Sequence, residues 1–241
     1  MAQPAAPVAV LLDAGGVFLL PDHDRIAGAF ERAEVPVDRS RLDDAHYAGA
    51  AWFTTELEAE ADWNACWSLY LDGYVEFLDV PEDARADLHH HLDSEFADAG
   101  LWTRVAPGCR DGLRELAATG VRLGMVSNAD GLMAQRLGEL ELLQVGPGVG
   151  VEVECVIDSG AVGVLKPDPR IFRLALDAMG IDDDAVAAGR VWYVGDMPGI
   201  DVVGAWRAGL RPFLVDPLGL HQNADHDRIA TLTELAARAT G

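Results

Sequence analysis

Five side chains in this sequence have the chemical types that a phosphoryl-transfer site needs. They follow short apolar runs or lie in a neighbouring loop, and they are Asp13, Ser127, Lys166, Asp196 and Asp201. A carboxylate attacks phosphorus only if its charge repulsion with the phosphoryl group is neutralised, which a divalent cation and an ammonium group can do. The set therefore predicts a carboxylate nucleophile, a hydroxyl and a cation for phosphate, and two acids for a metal.

Lys166 is the only lysine in the sequence, because the other 17 of the 18 basic residues are arginine. A compact ammonium can contact a carboxylate and a phosphoryl oxygen at the same time, and a planar guanidinium does not replace it. The position of this single lysine therefore favours a role in chemistry over a place on the surface.

The elements that must position these residues alternate between strand and helix. The apolar runs predict strands at 8–12, 121–126, 153–157 and 191–194, and the segments between them predict helices at 108–119, 131–143, 169–179 and 199–208. This alternation predicts a doubly wound α/β fold with a parallel sheet. Ligands of such sheets bind beyond the carboxyl ends of the strands, so the polar strand ends should converge on one site.

Residues 21–103 interrupt this alternation with apolar and aromatic residues at helical spacing. We predict an inserted helical cap domain at 21–103 and a core domain built from 1–20 and 104–241. The cap carries 20 of the 40 acidic residues but only 5 of the 18 basic ones.

The composition limits the partners of the protein. The formal net charge is −22, which repels nucleic acid and anionic lipid surfaces. Three distant cysteines form no zinc-ligand pattern, and the N-terminal apolar run is too short for a signal or a membrane span. We therefore expect a cytoplasmic protein with no nucleic acid and no membrane as partner. A monomer and a homodimer are both compatible with the sequence.

Four motifs carry a resemblance to a known family: LLDAGGV, VSNADG, GVLKPDPRIF and VWYVGDMPGIDVVGAWRAGLRPFLVDP. In this order and at these spacings the sequence resembles the haloacid dehalogenase superfamily, in its phosphatase type with a helical cap after the first strand. The resemblance spans nearly the whole chain. It implies an Mg²⁺-dependent hydrolase that acts on a small phosphorylated metabolite through a covalent aspartyl intermediate.

The resemblance also implies a role for each motif residue. Asp13 is implied as the nucleophile and Lys166 as its catalytic partner, and the phosphate-binding residues are implied to be Ser127, Asn128 and Lys166. The implied metal-binding residues are Asp13, the backbone carbonyl of Gly15, Asp196 and Asp201. Carboxylate oxygens suit magnesium, which keeps several waters and needs few protein ligands.

One position departs from the family. Phosphatases of the superfamily usually carry a second aspartate two residues after the nucleophile, which protonates the leaving group, and here that residue is Gly15. General acid–base catalysis contributes about 10²–10⁴-fold to a rate. We therefore expect substrates with good leaving groups, such as a sugar 1-phosphate or an acyl phosphate.

Three alternatives remain open at this point. Asp22, His23 or Asp24 could replace the missing acid, although each suits the start of a helix. The protein could be a catalytically weak or inactive member that binds a phosphorylated ligand or a protein partner. Dehalogenation is the third alternative. It is disfavoured because dehalogenases of this family have a tyrosine at the position of Gly15 and no acid at the position of Asp196.

Overall fold

A six-stranded parallel sheet forms the centre of the protein, whose computed structural model describes residues 6–53 and 63–240. The strands are β1 (Ala9–Leu12), β2 (Leu19–Pro21), β3 (Trp102–Val105), β4 (Arg122–Ser127), β5 (Leu143–Val145), β6 (Val151–Val153), β7 (Val156–Asp158), β8 (Val191–Gly195), β9 (Arg211–Val215) and β10 (Asp227–Ile229). The strand order in the large sheet is β10-β9-β8-β1-β4-β7. Two small sheets accompany it, an antiparallel pair of β2 and β3 and a parallel pair of β5 and β6.

Helices lie between the strands and in the long segment before β3. In chain order they are α1 (His23–Arg32), α2 (Leu42–Ala50), α3 (Trp63–Phe77), α4 (Glu82–Phe96), α5 (Cys109–Ala118), α6 (Met133–Glu139), α7 (Ser159–Val162), α8 (Pro169–Met179), α9 (Asp183–Ala187), α10 (Val203–Arg207) and α11 (Leu232–Ala239). A π-helical turn, Pro198–Val202, leads directly into α10.

Helices cover both faces of the large sheet. Within β1, Val10 and Leu12 belong to one apolar cluster, and Ala9 and Leu11 belong to another. Neighbouring residues of a strand point to opposite faces, so a run without polar residues is stable only where both faces are buried. The doubly wound α/β fold predicted from the sequence is confirmed.

The sequence pattern placed most elements well but misjudged some boundaries. The strand expected at 153–157 is divided, since β6 ends at Val153 and β7 begins at Val156. The helix expected at 199–208 starts with a π-helical turn and becomes α-helical only at Val203. Strands β9 and β10 were not predicted, because β9 includes Pro212 and β10 has only three residues.

The segment between β2 and β3, which we call the inserted segment, has an apolar cluster of its own. Residues from α1 to α4 build it, and Ile200 of the π-helical turn joins it. The two strands that enter and leave the segment pair with each other, with Leu19 opposite Val105. The division into a core domain (1–20 and 104–241) and a cap domain (21–103) stays a prediction, and this separate cluster agrees with it.

Within the described residues, no helix is long and apolar enough to cross a membrane.

Candidate active site

Asp13 lies at the carboxyl end of β1, in the middle of the sheet. The strand pairs in parallel with β4 and β8, so its end lies beside theirs. The backbone N–H of Asp13 donates to the carbonyl of Val194 at 2.8 Å, and its Oδ1 accepts from the backbone N–H of Ala14 at 2.7 Å. The side chain is thereby held in a buried site with Oδ2 free for another contact.

Lys166 makes that other contact. Its Nζ lies 2.7 Å from Asp13 Oδ2, 2.8 Å from Asp201 Oδ1 and 2.8 Å from the hydroxyl of Tyr193. The side chain is 2% exposed, so the ammonium group is almost completely removed from water. A buried ammonium persists only when it is paired and hydrogen-bonded, and the two carboxylates supply that pairing.

The side chain of Asn128 holds the backbone of Lys166 in place. Its Nδ2 donates to the Lys166 carbonyl at 3.1 Å, and its Oδ1 accepts from the Lys166 N–H at 2.8 Å. Both ends of the amide are therefore engaged, which leaves the backbone of Asn128 for any contact with phosphate. Ser127, the last residue of β4, is 2% exposed and lines the same cavity as Asp13.

Asp13, Asp196 and Asp201 form a buried cluster of carboxylates. One oxygen from each lies within 4.8 Å of the others. Asp201 already accepts four hydrogen bonds: from Lys166 Nζ and the Tyr193 hydroxyl at Oδ1, and from the N–H groups of Asp196 and Met197 at Oδ2. Asp201 therefore orients its neighbours, and Asp13 and Asp196 are better placed to contact a cation directly.

The crowding of these acids shifts their pKa values. Burial raises the pKa of Asp13 to about 7, the negative charges of Asp201 and Asp196 add to this rise, and Lys166 opposes it. Burial also raises the pKa of Asp196. Burial alone lowers the pKa of Lys166, but the charges of Asp13 and Asp201 outweigh burial and raise it. The site thus carries negative charge that one ammonium group does not fully compensate.

Gly15 lies beside an aromatic side chain at the place where the family has its second acid. A Cβ atom at Gly15 would lie 3.6 Å from Cζ3 of Trp102, an ordinary van der Waals contact. The neighbouring Gly16 is different, because its φ is +64° and a Cβ there would lie 2.2 Å from Cγ of Asp196. Gly16 is required by the close approach of the backbone to the acid, whereas Gly15 has room for a small side chain.

His46 of α2 reaches the acidic cluster from the inserted segment, and no sequence pattern pointed to it. The ring is completely buried, and its Nε2 lies 2.9 Å from Asp196 Oδ2, without the alignment of a hydrogen bond. Its Nδ1 lies 2.9 Å from the hydroxyl of Tyr70. A single histidine in a helix is usually a packed side chain, so only its contact with Asp196 identifies it.

Tyr193, like His46, was not predicted as a site residue. It lies on β8, and its hydroxyl accepts from Lys166 and donates to Asp201 at 2.9 Å. In the sequence it is one residue of an apolar strand, and nothing in its neighbours distinguishes it from a tyrosine that only packs in the core.

A cavity of about 730 Å³ opens above the cluster. Its floor includes Asp13, Ser127, Lys166 and Asp196, and its walls come largely from the inserted segment and the π-helical turn. This volume lies within the range of small-molecule sites, roughly 300–1,000 Å³.

The three residues considered as replacements for the missing acid lie elsewhere. Asp22 caps α1 by accepting from the N–H groups of Asp24 and Arg25. His23 Nε2 lies 2.8 Å from Asp43 Oδ1, and Asp24 is paired with Arg39 at the surface. None of the three lines the cavity among the residues that the structure describes. Asp22 and Asp24 belong to the start of α1, as their sequence pattern indicated.

The sequence profile of the haloacid dehalogenase-like hydrolase family matches residues 8–209, so the chain belongs to that family. A relative with curated annotation, the phosphoserine phosphatase of Thermus thermophilus, is 33% identical over 174 residues, which cover 69% of this chain and 61% of the relative. Over the curated relatives, the matched part covers between 47% and 62% of the relative's own length.

Solved structures confirm the fold. A haloacid dehalogenase-type phosphatase from Thermococcus onnurineus superposes with a TM-score of 0.53 at 21% identity, covering 95% of this chain and 96% of its own. An L-2-haloacid dehalogenase superposes with a TM-score of 0.54 at 20% identity, covering 98% and 100%. Phosphatases and dehalogenases thus share this fold, and the chemistry must be inferred from the site.

Proposed function

We propose that this protein is an Mg²⁺-dependent phosphohydrolase that uses Asp13 as its nucleophile and acts on a small phosphorylated metabolite with a good leaving group. The observation that carries the proposal is the contact of one buried ammonium group, Lys166 Nζ, with both Asp13 and Asp201. This arrangement provides a nucleophile, an adjacent cation and a further acid in one cavity.

The donor set fits magnesium. Asp13 and Asp196 offer buried carboxylate oxygens, and the backbone of Gly15 lines the same cavity. Mg²⁺ prefers oxygen ligands and keeps several waters, so two carboxylates and a carbonyl suffice. Asp201 would hold the site through its hydrogen bonds to the N–H groups of Asp196 and Met197. Bound there, the metal would neutralise charge between the nucleophile and the phosphoryl oxygens.

The residues of the chain account for phosphoryl capture. Asp13 attacks phosphorus and forms an aspartyl phosphate as the bond to the leaving-group oxygen breaks. Lys166 neutralises the carboxylate and a phosphoryl oxygen together. Ser127 and the backbone of Asn128 would bind the remaining phosphoryl oxygens. Water then attacks the aspartyl phosphate, which releases inorganic phosphate and restores Asp13.

Proton transfer is the step for which the first motif lacks a group. Gly15 cannot donate a proton, and Asp22, His23 and Asp24 are engaged away from the cavity. We therefore retain the preference for leaving groups that depart without protonation, of which a sugar 1-phosphate and an acyl phosphate are examples.

Names of relatives agree with phosphatase chemistry. Proteins named phosphoserine phosphatase and phosphoglycolate phosphatase are 33% and 31% identical to this chain over their matched parts. Because those matches leave much of each relative uncovered, they support the reaction class and do not select a substrate. The second candidate, a weak or inactive member that binds a phosphorylated ligand, rests on Gly15 alone. The intact Asp13–Lys166 pair argues against it.

The test measures phosphate release from a panel of phosphorylated metabolites, with Mg²⁺ and with excess EDTA. We expect Mg²⁺-dependent release that falls at least about 10³-fold in Asp13→Asn, because a carboxamide is a poor nucleophile. Asp111→Asn is the control, since Asp111 is exposed on α5. Release that persists in Asp13→Asn or in EDTA would exclude this mechanism. Binding of phosphate without any turnover would establish the second candidate.

A further inference from the structure

We propose that the leaving group of the substrate is aromatic, so that the protein hydrolyses aryl phosphates, with Trp102 as the residue that selects them. This inference rests on the proposed phosphohydrolase function and narrows its substrate class. Trp102, the first residue of β3, lies directly beside Gly15.

Trp102 occupies the place towards which the side chain of the missing acid would project. Its indole ring would contact a Cβ atom at Gly15 at 3.6–4.0 Å. The ring is also fixed from behind, because it packs edge-on against His46 at 5.4 Å and against Phe96 at 6.3 Å between ring centroids. The wall next to the nucleophile is therefore an aromatic surface and not a proton donor.

The rest of the cavity wall is also largely apolar. Side chains that line it include Leu19, Phe96, Met197 and Ile200. A sugar would bury several hydroxyl groups against these side chains, and a buried hydroxyl without a partner costs roughly 1–3 kcal/mol. An aromatic ring carries no such cost and gains from contact with the indole ring.

The basic side chains around the cavity do not favour a second negatively charged group on the substrate. Lys166 is occupied by Asp13 and Asp201 at the floor. Arg136, which lines the wall, donates through both terminal nitrogens to Asp130 at 2.8 and 2.6 Å. The acidic Asp93 lines the same cavity and is exposed. The wall therefore suits a neutral and apolar leaving group better than an anionic one.

A phenolic leaving group also meets the chemical requirement set by Gly15. The pKa of a phenol is about 10, against about 15.7 for water. As Asp13 bonds to phosphorus, the bond between phosphorus and the phenolic oxygen breaks and the oxygen keeps the electron pair. The phenolate then takes a proton from solvent, and hydrolysis of the aspartyl phosphate gives inorganic phosphate. The overall reaction converts an aryl phosphate and water into a phenol and phosphate.

The test separates binding from turnover by using phosphonates, which are not hydrolysed. Phenylphosphonate and methylphosphonate are titrated calorimetrically into the full chain with Mg²⁺. We expect phenylphosphonate to bind about tenfold more tightly, from the contact of its ring with Trp102. The ratio should fall to within about threefold in Trp102→Ala and should persist in Trp102→Phe. Trp206→Ala is the control, because Trp206 is exposed on α10 and does not line the cavity. If Trp102→Ala does not fold, Trp102→Leu replaces it.

The outcomes distinguish this inference from the proposed function. Equal binding of the two phosphonates to the wild type, or a ratio that survives the loss of the indole ring, overturns the inference alone. So does a higher kcat/KM for glucose 1-phosphate than for phenyl phosphate. If phenyl phosphate, acetyl phosphate and glucose 1-phosphate all release no phosphate, the proposed function fails and the inference fails with it.

Discussion

His46 Nε2 lies 2.9 Å from Asp196 Oδ2, which joins the inserted helical segment to the acidic cluster of the sheet. Two further contacts strengthen this connection. The hydroxyl of Tyr47 donates to the carbonyl of Gly16 at 2.8 Å, and the N–H of Gly199 donates to the carbonyl of Phe53 at 2.7 Å. The helical segment therefore contributes to the geometry of the proposed metal site as well as to the cavity wall.

We expect His46→Ala to weaken metal binding, because the buried Asp196 carboxylate would lose the ring nitrogen that lies 2.9 Å from its Oδ2. Partners of metal ligands typically contribute 10–100-fold to metal affinity. Calorimetric titration with Mn²⁺ or Mg²⁺ measures this directly, and His46→Gln should recover part of the affinity. His90→Gln is the matched control, since His90 is an exposed histidine of α4. Unchanged affinity in His46→Ala, with the fold retained, would show that this histidine only packs.

Replacing Lys166 should damage stability and turnover together. In Lys166→Met the carboxylates of Asp13 and Asp201 lose their buried partner, and breaking a buried ion pair costs about 3–5 kcal/mol. The melting temperature should fall in thermal denaturation, and phosphate release should fall with it. Lys166→Arg should also lose activity, because the planar guanidinium does not fit the space that the ammonium group occupies. An active Lys166→Arg variant would contradict the role that we assign to this residue.

Metal binding should strengthen as the pH rises towards 7. Burial raises the pKa of Asp13 to about 7, so below that pH the metal-free protein holds a proton that a bound cation must displace. The apparent Mg²⁺ affinity should rise by up to about tenfold per pH unit below pH 7 and level off above it. Titrations at several pH values test this, and Asp13→Asn should remove most of the slope. A wild-type affinity that is constant from pH 5 to 8 would contradict the prediction.

The same raised pKa has a consequence for the stability of the metal-free protein. The folded state keeps the proton of Asp13 up to about pH 7, whereas the unfolded chain loses it near its ordinary value of 3.8. Between these values the folded state binds more protons, so the free energy of unfolding falls as the pH rises. In EDTA, the stability of Asp13→Asn relative to the wild type should therefore increase from pH 5 to about 7 and level off above it. A constant difference in denaturant unfolding would disagree with this.

Restoring the missing acid should depend on Trp102. Gly15→Asp has room for its Cβ atom, but its carboxyl group would crowd the indole ring. We expect activity towards alkyl phosphates to rise modestly in Gly15→Asp and by more in Gly15→Asp combined with Trp102→Ala. Steady-state kinetics of the four proteins in a double-mutant cycle measure the coupling. Strictly additive effects would show that the two positions do not interact.

Gly16→Ala provides the contrast with Gly15. The positive φ of Gly16 is unfavourable for alanine, and the added Cβ atom would lie 2.2 Å from Cγ of Asp196, so this variant should be strongly destabilised. Gly15→Ala should remain close to the wild type in melting temperature. Similar stabilities of the two alanine variants would contradict the close approach at Gly16.

The sequence by itself determined the fold class and the positions of the motif residues. Asp13, Ser127 and Asp196 each come directly after or at the end of a buried parallel strand, and parallel strands that neighbour each other end at the same edge. Their convergence follows from local patterns, and the single lysine at 166 was distinguished by composition alone. These are properties that a short stretch of sequence encodes.

Only the tertiary structure showed which residues of the inserted segment meet the site. His46 and Asp196 are 150 positions apart, and Gly15 and Trp102 are 87 apart. A buried histidine and a buried tryptophan have the same local signature wherever they pack, because helical periodicity encodes the buried face and not the partner. The docking of the segment on the sheet decides that Asp196 has a histidine beside it and that an indole ring lies next to Gly15.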